Sequence, residues 1–523
     1  MSLKCSFRTG AVLLALALIA VLAAGGGVNA QKRGGVLRVG LNGEPPTLDA
    51  HWTTADLTEV PADHIFEGLY TLDNANRPVP LLAEGLPTVS RDGLTHTIKL
   101  RQGVTFHNGK ELTSDDVVAS LSRWGKQSVY GKALFAQVVD IRAADKYTVE
   151  LKLKQPSPIV LMALAVPNNF GAIYPKEIAD KFPPQTKITE FIGTGPFRLA
   201  EWKPDQHIRM VRFADHKPRR EASSGYGGAR VAYVDEIRWI PTPEASTRLA
   251  ALESGELDFV DDLAADSYER MRTSSVVRPL VVKPYVWPMV VFNKKEGLMA
   301  NQKMRQAWQA ALDIEPIMKS VAGGRAEFYR LDSSLIPMEI PEWHTMIAGL
   351  PWSEHNVAKA KRLLQEAGYK GEPIRFMTTQ EYKYMYDFAL VTKQQLEDAG
   401  FVVDLQVQDW ATVVKRRSNP KEYDAFTSSI GPFYDPTLAL FLSCSWPGWT
   451  CDEDIQKLQT QLAQETDPKA RQALWVQQTK LFYDRVPVIR YGDLFGLRGI
   501  RKEVRDFNER TVRPRFFNVW LDR

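Results

Sequence analysis

The side chains best suited to covalent or metal chemistry are few and scattered: eight histidines and three cysteines in 523 residues. There is no Gly-x-Ser-x-Gly elbow to present a nucleophile and no Gly-x-x-x-x-Gly-Lys-Ser/Thr loop to cradle phosphates. There is no His-Glu-x-x-His helix, and His344 and His355, the nearest late pair, do not share a helical face at ligand spacing. Gly193-Thr194-Gly195 is a fragment of a dinucleotide fingerprint, but Pro196 stands where the helix should begin. The carboxylate pairs Asp115-Asp116 and Asp261-Asp262 read as solvated surface. This pattern points to no enzyme, no cofactor and no metal centre.

Aromatic side chains are plentiful instead. Trp52, Trp287, Trp410, Trp446 and Trp449 fall in turn-like segments. Such rings offer large contact area with few rotors to freeze, which suits a ligand cleft as well as a core. Trp308 and Trp475, at helical spacing among apolar residues, are assigned to the core.

The composition is globular, with 44% hydrophobic and 24% charged residues. Sixty-six basic against 62 acidic residues make no electrostatic footprint for a nucleic-acid binder. Lys4 and Arg8 precede an apolar run from Ala11 to Ala24, too short for a bilayer span, and Val28-Asn29-Ala30 offers small residues for a signal peptidase. A short anchor or a core helix would need a stop-transfer cluster or a longer run. Residues 1–30 are therefore expected to be a signal peptide cleaved after Ala30, sending the chain to the periplasm. Removing 30 residues leaves 493, and the net charge falls from +4 to +2 because only Lys4 and Arg8 are lost. In that oxidising compartment Cys444 and Cys451, separated by a turn containing Pro447 and Gly448, are expected to pair as a structural clip.

The elements that must position these residues alternate. A buried strand is expected at Val36 to Leu41, and half-exposed strands at Thr95–Leu100 and Tyr147–Leu153. Thr113 and Asp116 form a capping box opening a helix that runs to about Trp124. A hairpin turns at Lys203-Pro204-Asp205-Gln206. Strand Val234–Ile240, helix Glu244–Ser254 ending at Gly255 and strand Leu257–Val260 favour a parallel sheet with a right-handed crossover. Helices Asn356–Ala367 and Glu381–Ala399 end at Gly368 and Gly400 and are followed by strands at Ile374–Met377 and Phe401–Val407. Helices at Asp452–Glu465 and Pro468–Arg485 complete an α/β pattern.

Arg33-Gly34-Gly35-Val36-Leu37-Arg38-Val39-Gly40 with Thr47-Leu48-Asp49 resembles the opening of mature family 5 solute-binding proteins of ABC transporters, the oligopeptide-, dipeptide- and nickel-binding type. The resemblance continues through Ile65-Phe66-Glu67-Gly68-Leu69-Tyr70, Leu100 to Gly109, Gly193 to Phe197, Phe292-Asn293 with Arg305-Gln306-Ala307, and Tyr434-Asp435-Pro436. It implies an α/β fold of the periplasmic-binding-protein-like type II, two lobes with a cleft and an α+β subdomain inserted in the first. The segments would be lobe I at 31–58, the insertion at 59–189, lobe I again at 190–285, lobe II at 286–489 and a return to lobe I at 490–523.

The resemblance also implies a function without chemistry: a peptide-like or other small polar solute held between lobes and delivered by a monomer to membrane permease subunits of an importer. Where peptide-binding members hold the ligand's ammonium group with an Asp three residues before the acidic-Pro pair, this chain has Pro432. Nickel or metal-chelate, opine and sugar ligands therefore stay open, as do a sensor receptor and a secreted hydrolase. The ligand contacts expected are Glu44, Thr53, Thr54, Trp287, Trp410, Ser428, Ser429, Ile430 and Gly431.

Overall fold

A computed structural model of the chain describes residues 31–523; the expected signal peptide lies outside the described residues. Twelve strands form one sheet that changes character along its length. In its first part Val36–Leu41 lies parallel between Glu236–Pro241 and Phe259–Val260, and the hairpin Phe197–Lys203 with His207–Arg212 adds two antiparallel strands. In its second part Ile374–Thr378 lies parallel to both Val403–Val407 and Ala425–Ile430. Parallel neighbours need crossover helices, and Ala245–Ser254, Lys383–Asp398 and Trp410–Arg416 supply them. Gly255 and Gly400 end two of these at φ of 86° and 95°, the left-handed backbone glycine adopts without a steric penalty.

The two parts are stitched by one long strand, Val277–Phe292. Its first stretch, Val277 to Val286, pairs with Asp493–Arg501 of the first part, and Trp287 to Phe292 pairs with Ala425–Ile430 of the second. The register shifts between Val282 and Val286, at the join.

A separate four-stranded antiparallel sheet is built from Thr88–Val89, Thr95–Lys99, Thr148–Leu153 and Val138–Asp145 in that order. Helix Ser114–Gln127 accompanies it, opened by the Thr113–Asp116 capping box with both reciprocal bonds made. Leu37, Ile237, Phe259 and Phe516 lie in the core under the first part of the large sheet, and Phe292, Trp308, Phe376 and Phe388 in the core under the second. Trp308 and Trp475 are buried as expected. Cys444 and Cys451 form a disulfide. The expected strand Leu257–Val260 shrinks to Phe259–Val260, because the preceding residues complete the turn after Gly255, where Leu257 N–H still bonds back to Ala251.

Candidate functional site

A cavity of about 660 Å³ opens at the carboxyl ends of the parallel strands of both parts of the sheet. Leu41 to Glu44 follow Val36–Leu41, Asp261 follows Phe259–Val260, Glu381 and Tyr382 follow Ile374–Thr378, and Trp410 follows Val403–Val407. Ser428 to Pro432 close the strand Ala425–Ile430. Open α/β sheets place ligands at this end because strand carbonyl ends and helix starts leave unpaired polar groups there.

Of the residues expected to touch ligand, Glu44, Thr53, Thr54, Trp410, Ser428, Ser429, Ile430 and Gly431 all lie in the cavity wall. One carboxylate oxygen of Glu44 accepts the Trp202 indole N–H, while the other, Oε2, is buried without a partner among the described residues. Thr53 Oγ1 accepts Ala55 N–H at 3.2 Å, fixing the loop before helix Asp56–Ile65. Ser429 Oγ and the Tyr384 hydroxyl are 2.9 Å apart. Trp410 begins its helix behind Asp409, whose side chain accepts Thr412 N–H, and its ring meets Tyr382 edge-on at 5.4 Å.

Trp287 is placed differently from the sequence expectation and is absent from the cavity wall. It is 2% exposed, its ring edge-on to Phe441 at 5.0 Å and covered by the Arg490 guanidinium at 5.0 Å. Arg490 is locked there by bonds to Ser334 O, Gly492 O and Asp493 Oδ1. The ring is part of the buried core with Met289, Phe433, Phe441 and Phe482.

The wall also holds groups that sequence reasoning did not single out. Tyr130, Tyr285, Tyr382, Tyr384 and Tyr434 line it, and burial pushes each of their hydroxyl pKa values up, keeping them neutral donors. Asp56 is paired with Arg513 at 2.7 Å and Asp261 with Arg498 at 3.0 Å, so these wall charges are already neutralised. Arg417 lies within 6 Å of the ring centres of Trp410, Phe426 and Trp446, and burial brings its pKa down to about 10. Its signal was hidden in Lys415-Arg416-Arg417, which reads as an ordinary solvated charge run. Among the described residues no group of three or more His, Cys, Asp or Glu side chains is arranged to hold a metal ion.

Comparison with known proteins places this geometry. A probable peptide ABC transporter periplasmic-binding protein, y4tO of Sinorhizobium fredii, is 27% identical over 458 residues, covering 84% of this chain and 85% of the relative. The solved oligopeptide-binding protein AppA of Bacillus subtilis, in complex with a nonapeptide, superposes with a TM-score of 0.81 at 23% identity, covering 94% of this chain and all of that one. AgaA of A. tumefaciens R10, in complex with agropinic acid, gives a TM-score of 0.80 at 23% identity, covering 94% and 99%. These two share the fold, the type II periplasmic-binding architecture expected from the sequence. The profile of bacterial extracellular solute-binding proteins, family 5, matches residues 77–448. The chain belongs to that family, the solute-binding components of ABC importers.

Proposed function

We propose that this chain captures a small polar or peptide-like solute in the cavity between two lobes and hands it to the permease subunits of its importer. The observation that carries the reading is the cavity itself. Its wall draws on strand ends from both parts of the sheet, so a bound solute would bridge them and favour the closed form. A volume near 660 Å³ is that of a small-molecule site and suits a short solute.

The division into lobe I (31–58, 190–285, 490–523), an inserted subdomain (59–189) and lobe II (286–489) belongs to the same proposal, with the crossings on Val277–Phe292 and before Asp493–Arg501. So do export to the periplasm by cleavage after Ala30, a monomeric state and the absence of catalysis. The relatives are binding proteins, which supports the last point. Pro432 puts a neutral ring at the wall position where a peptide ammonium would need a carboxylate, which favours solutes without a free α-amine there.

Native mass spectrometry of the exported protein, followed by a thermal-shift screen, tests the reading. A bound solute at a hundredfold excess over its Kd should stabilise the fold by about 2.7 kcal/mol. Strong stabilisation by free-amine dipeptides would overturn the part that rests on Pro432, and turnover of any bound compound would overturn the absence of catalysis.

A further inference from the structure

Residues 59–189, the inserted subdomain of the division proposed above, are tied firmly to lobe I. The Arg123 guanidinium donates to both oxygens of the buried Asp49, at 3.1 and 2.7 Å, and the Thr194 hydroxyl donates to Glu67 at 2.9 Å. Toward lobe II the attachment is of another kind. No strand pairing crosses to residues 286–489, and among the described residues a single hydrogen bond does: Ser157 Oγ donates to Ala463 O at 2.8 Å.

The surroundings of Ser157 prepare that bond. It stands between Pro156 and Pro158, whose rings fix φ on both sides and hold the residue before Pro158 extended. Pro156 is seated on Gly93, where a Cβ would lie 3.0 Å from the proline Cβ. The acceptor is an orphan by position: Ala463 lies in the last turn of helix Glu453–Gln464, whose final carbonyls have no intrahelical donor. Arg471 Nε serves Leu462 O at 3.1 Å, and Ser157 serves Ala463 O. Just past the turn, Val160, Ala163 and Leu164 are buried in one apolar cluster with Leu438, Leu440 and Leu462 of lobe II. Neither Ser157 nor Ala463 lines the cavity, but the same segment runs on to Val166, Pro167 and Asn168, which do.

We propose that the Pro156-Ser157-Pro158 turn is a latch that fastens the inserted subdomain to lobe II when the lobes close, making Ser157 a positioning residue for solute retention. This rests on the solute-binding reading above and deepens it by naming a control on how long the site stays shut. Movement about the join near Val282 and Val286 carries residues 59–189 with lobe I, because parting Arg123 from Asp49 would leave each charge alone in the core. The Ser157 bond and the apolar contact beside it then part on opening. A contact made only in the closed form adds its free energy to closure. It therefore tightens binding of every solute the closed form holds by one factor, whatever the solute's chemistry. It acts on escape rather than capture, since the open form that meets the solute lacks it.

Stopped-flow tryptophan fluorescence and thermal shift of the exported protein test this, with a panel of free dipeptides, N-acetyl dipeptides, dicarboxylates and neutral sugars. The panel compounds that stabilise the wild type serve as probes. Ser157→Ala should leave their association rates unchanged and speed dissociation by about 3- to 10-fold, the net contribution of one hydrogen bond, equally for each probe. Ser157→Thr, which keeps the hydroxyl, should dissociate as the wild type does. Ser157→Asp, which sets a negative charge against the carbonyl end of a helix, should dissociate faster than Ser157→Ala. Without solute, Ser157→Ala should melt with the wild type, since the open form has no such bond to lose. The latch is overturned by wild-type dissociation in both Ser157→Ala and Ser157→Asp, or by a loss that differs from probe to probe. A melting temperature lowered as much without solute as with it overturns it too, by making the bond plain structure. In each of these cases solute binding stands. If no panel compound stabilises the wild type, both readings fail together.

Discussion

The ring of Tyr285 rests against the bare Cα of Gly496, where a Cβ would stand 2.7 Å from the tyrosine Cγ. The contact sits beside the register shift between Val282 and Val286, where the long strand that joins the two parts of the sheet pairs with Asp493–Arg501, and the same tyrosine lines the cavity. Gly496→Ala must push the ring or bend a strand. Overpacking of this kind costs about 1–3 kcal/mol. Urea unfolding should show that loss, and titration of a bound solute should show weaker affinity, since the displaced ring belongs to the wall. Wild-type stability together with wild-type affinity would mean that the strands absorb the methyl without moving Tyr285.

Trp287 makes a contrasting prediction, because its ring is in the core. Trp287→Ala should cost about 3–5 kcal/mol, the range for emptying a buried aromatic site. Its Nε1 is buried without an acceptor, so Trp287→Phe gives up no hydrogen bond and should recover much of the loss. Chemical unfolding of the two variants separates these outcomes. Solute affinity of the folded Phe variant should match the wild type.

Much of this arrangement is legible in the sequence, for a physical reason. Period-2 alternation at Thr95–Lys99, the capping box at Thr113 and Asp116, and glycines after helices at 255, 368 and 400 are local signals, and the elements form where those signals stand. Trp410 could be found because it follows a strand, and strand ends are where such sheets open, whereas Ser428 to Gly431, at the end of Ala425–Ile430, are legible only through the family resemblance. Trp287 and Arg417 could not. Whether a ring on a crossing strand turns inward, or whether the last of three basic residues lies among tryptophans, depends on contacts from Phe441, Arg490 and Trp446, tens of residues or more away. Periodicity carries no trace of them.

His51 is fully buried, with Nε2 3.0 Å from Ala172 O and Nδ1 3.1 Å from Arg123 Nη1. An arginine only donates, so Nδ1 accepts and the ring is the neutral Nε2–H tautomer. Burial and the adjacent Arg123 charge lower its pKa to about 3, from 6.5. The unfolded chain therefore binds a proton between pH 6.5 and 3 that the folded chain refuses. The stability this group contributes is fully present above pH 6.5 and is lost as pH falls, amounting to about 3 kcal/mol at pH 4. Urea midpoints measured from pH 7 to pH 4 should fall, and His51→Gln should flatten that part of the slope. An unchanged slope in the variant would assign the acid sensitivity to other groups, such as His107, whose pKa burial lowers to about 4.

The Cys444–Cys451 disulfide closes a loop of seven residues' separation that carries Trp446 to the cavity wall. Within the loop Gly448 has a φ of 100°, and a Cβ there would stand 2.5 Å from Val291 Cγ1, so the turn is pressed against the long strand. Closing so short a loop contributes about 2–3 kcal/mol in the chain-entropy account. Replacing both cysteines with serine should lower stability by about that amount in urea, and a reductant should do the same to the wild type but nothing further to the variant. Trp446 is also one of the three rings around Arg417. Loosening the loop should therefore weaken solute binding several-fold, because Trp446 belongs to the cavity wall and packs beside Trp410 and Phe426 around Arg417. A double serine variant that loses stability but binds solute as tightly as the wild type would show that Trp446 keeps its place without the covalent clip.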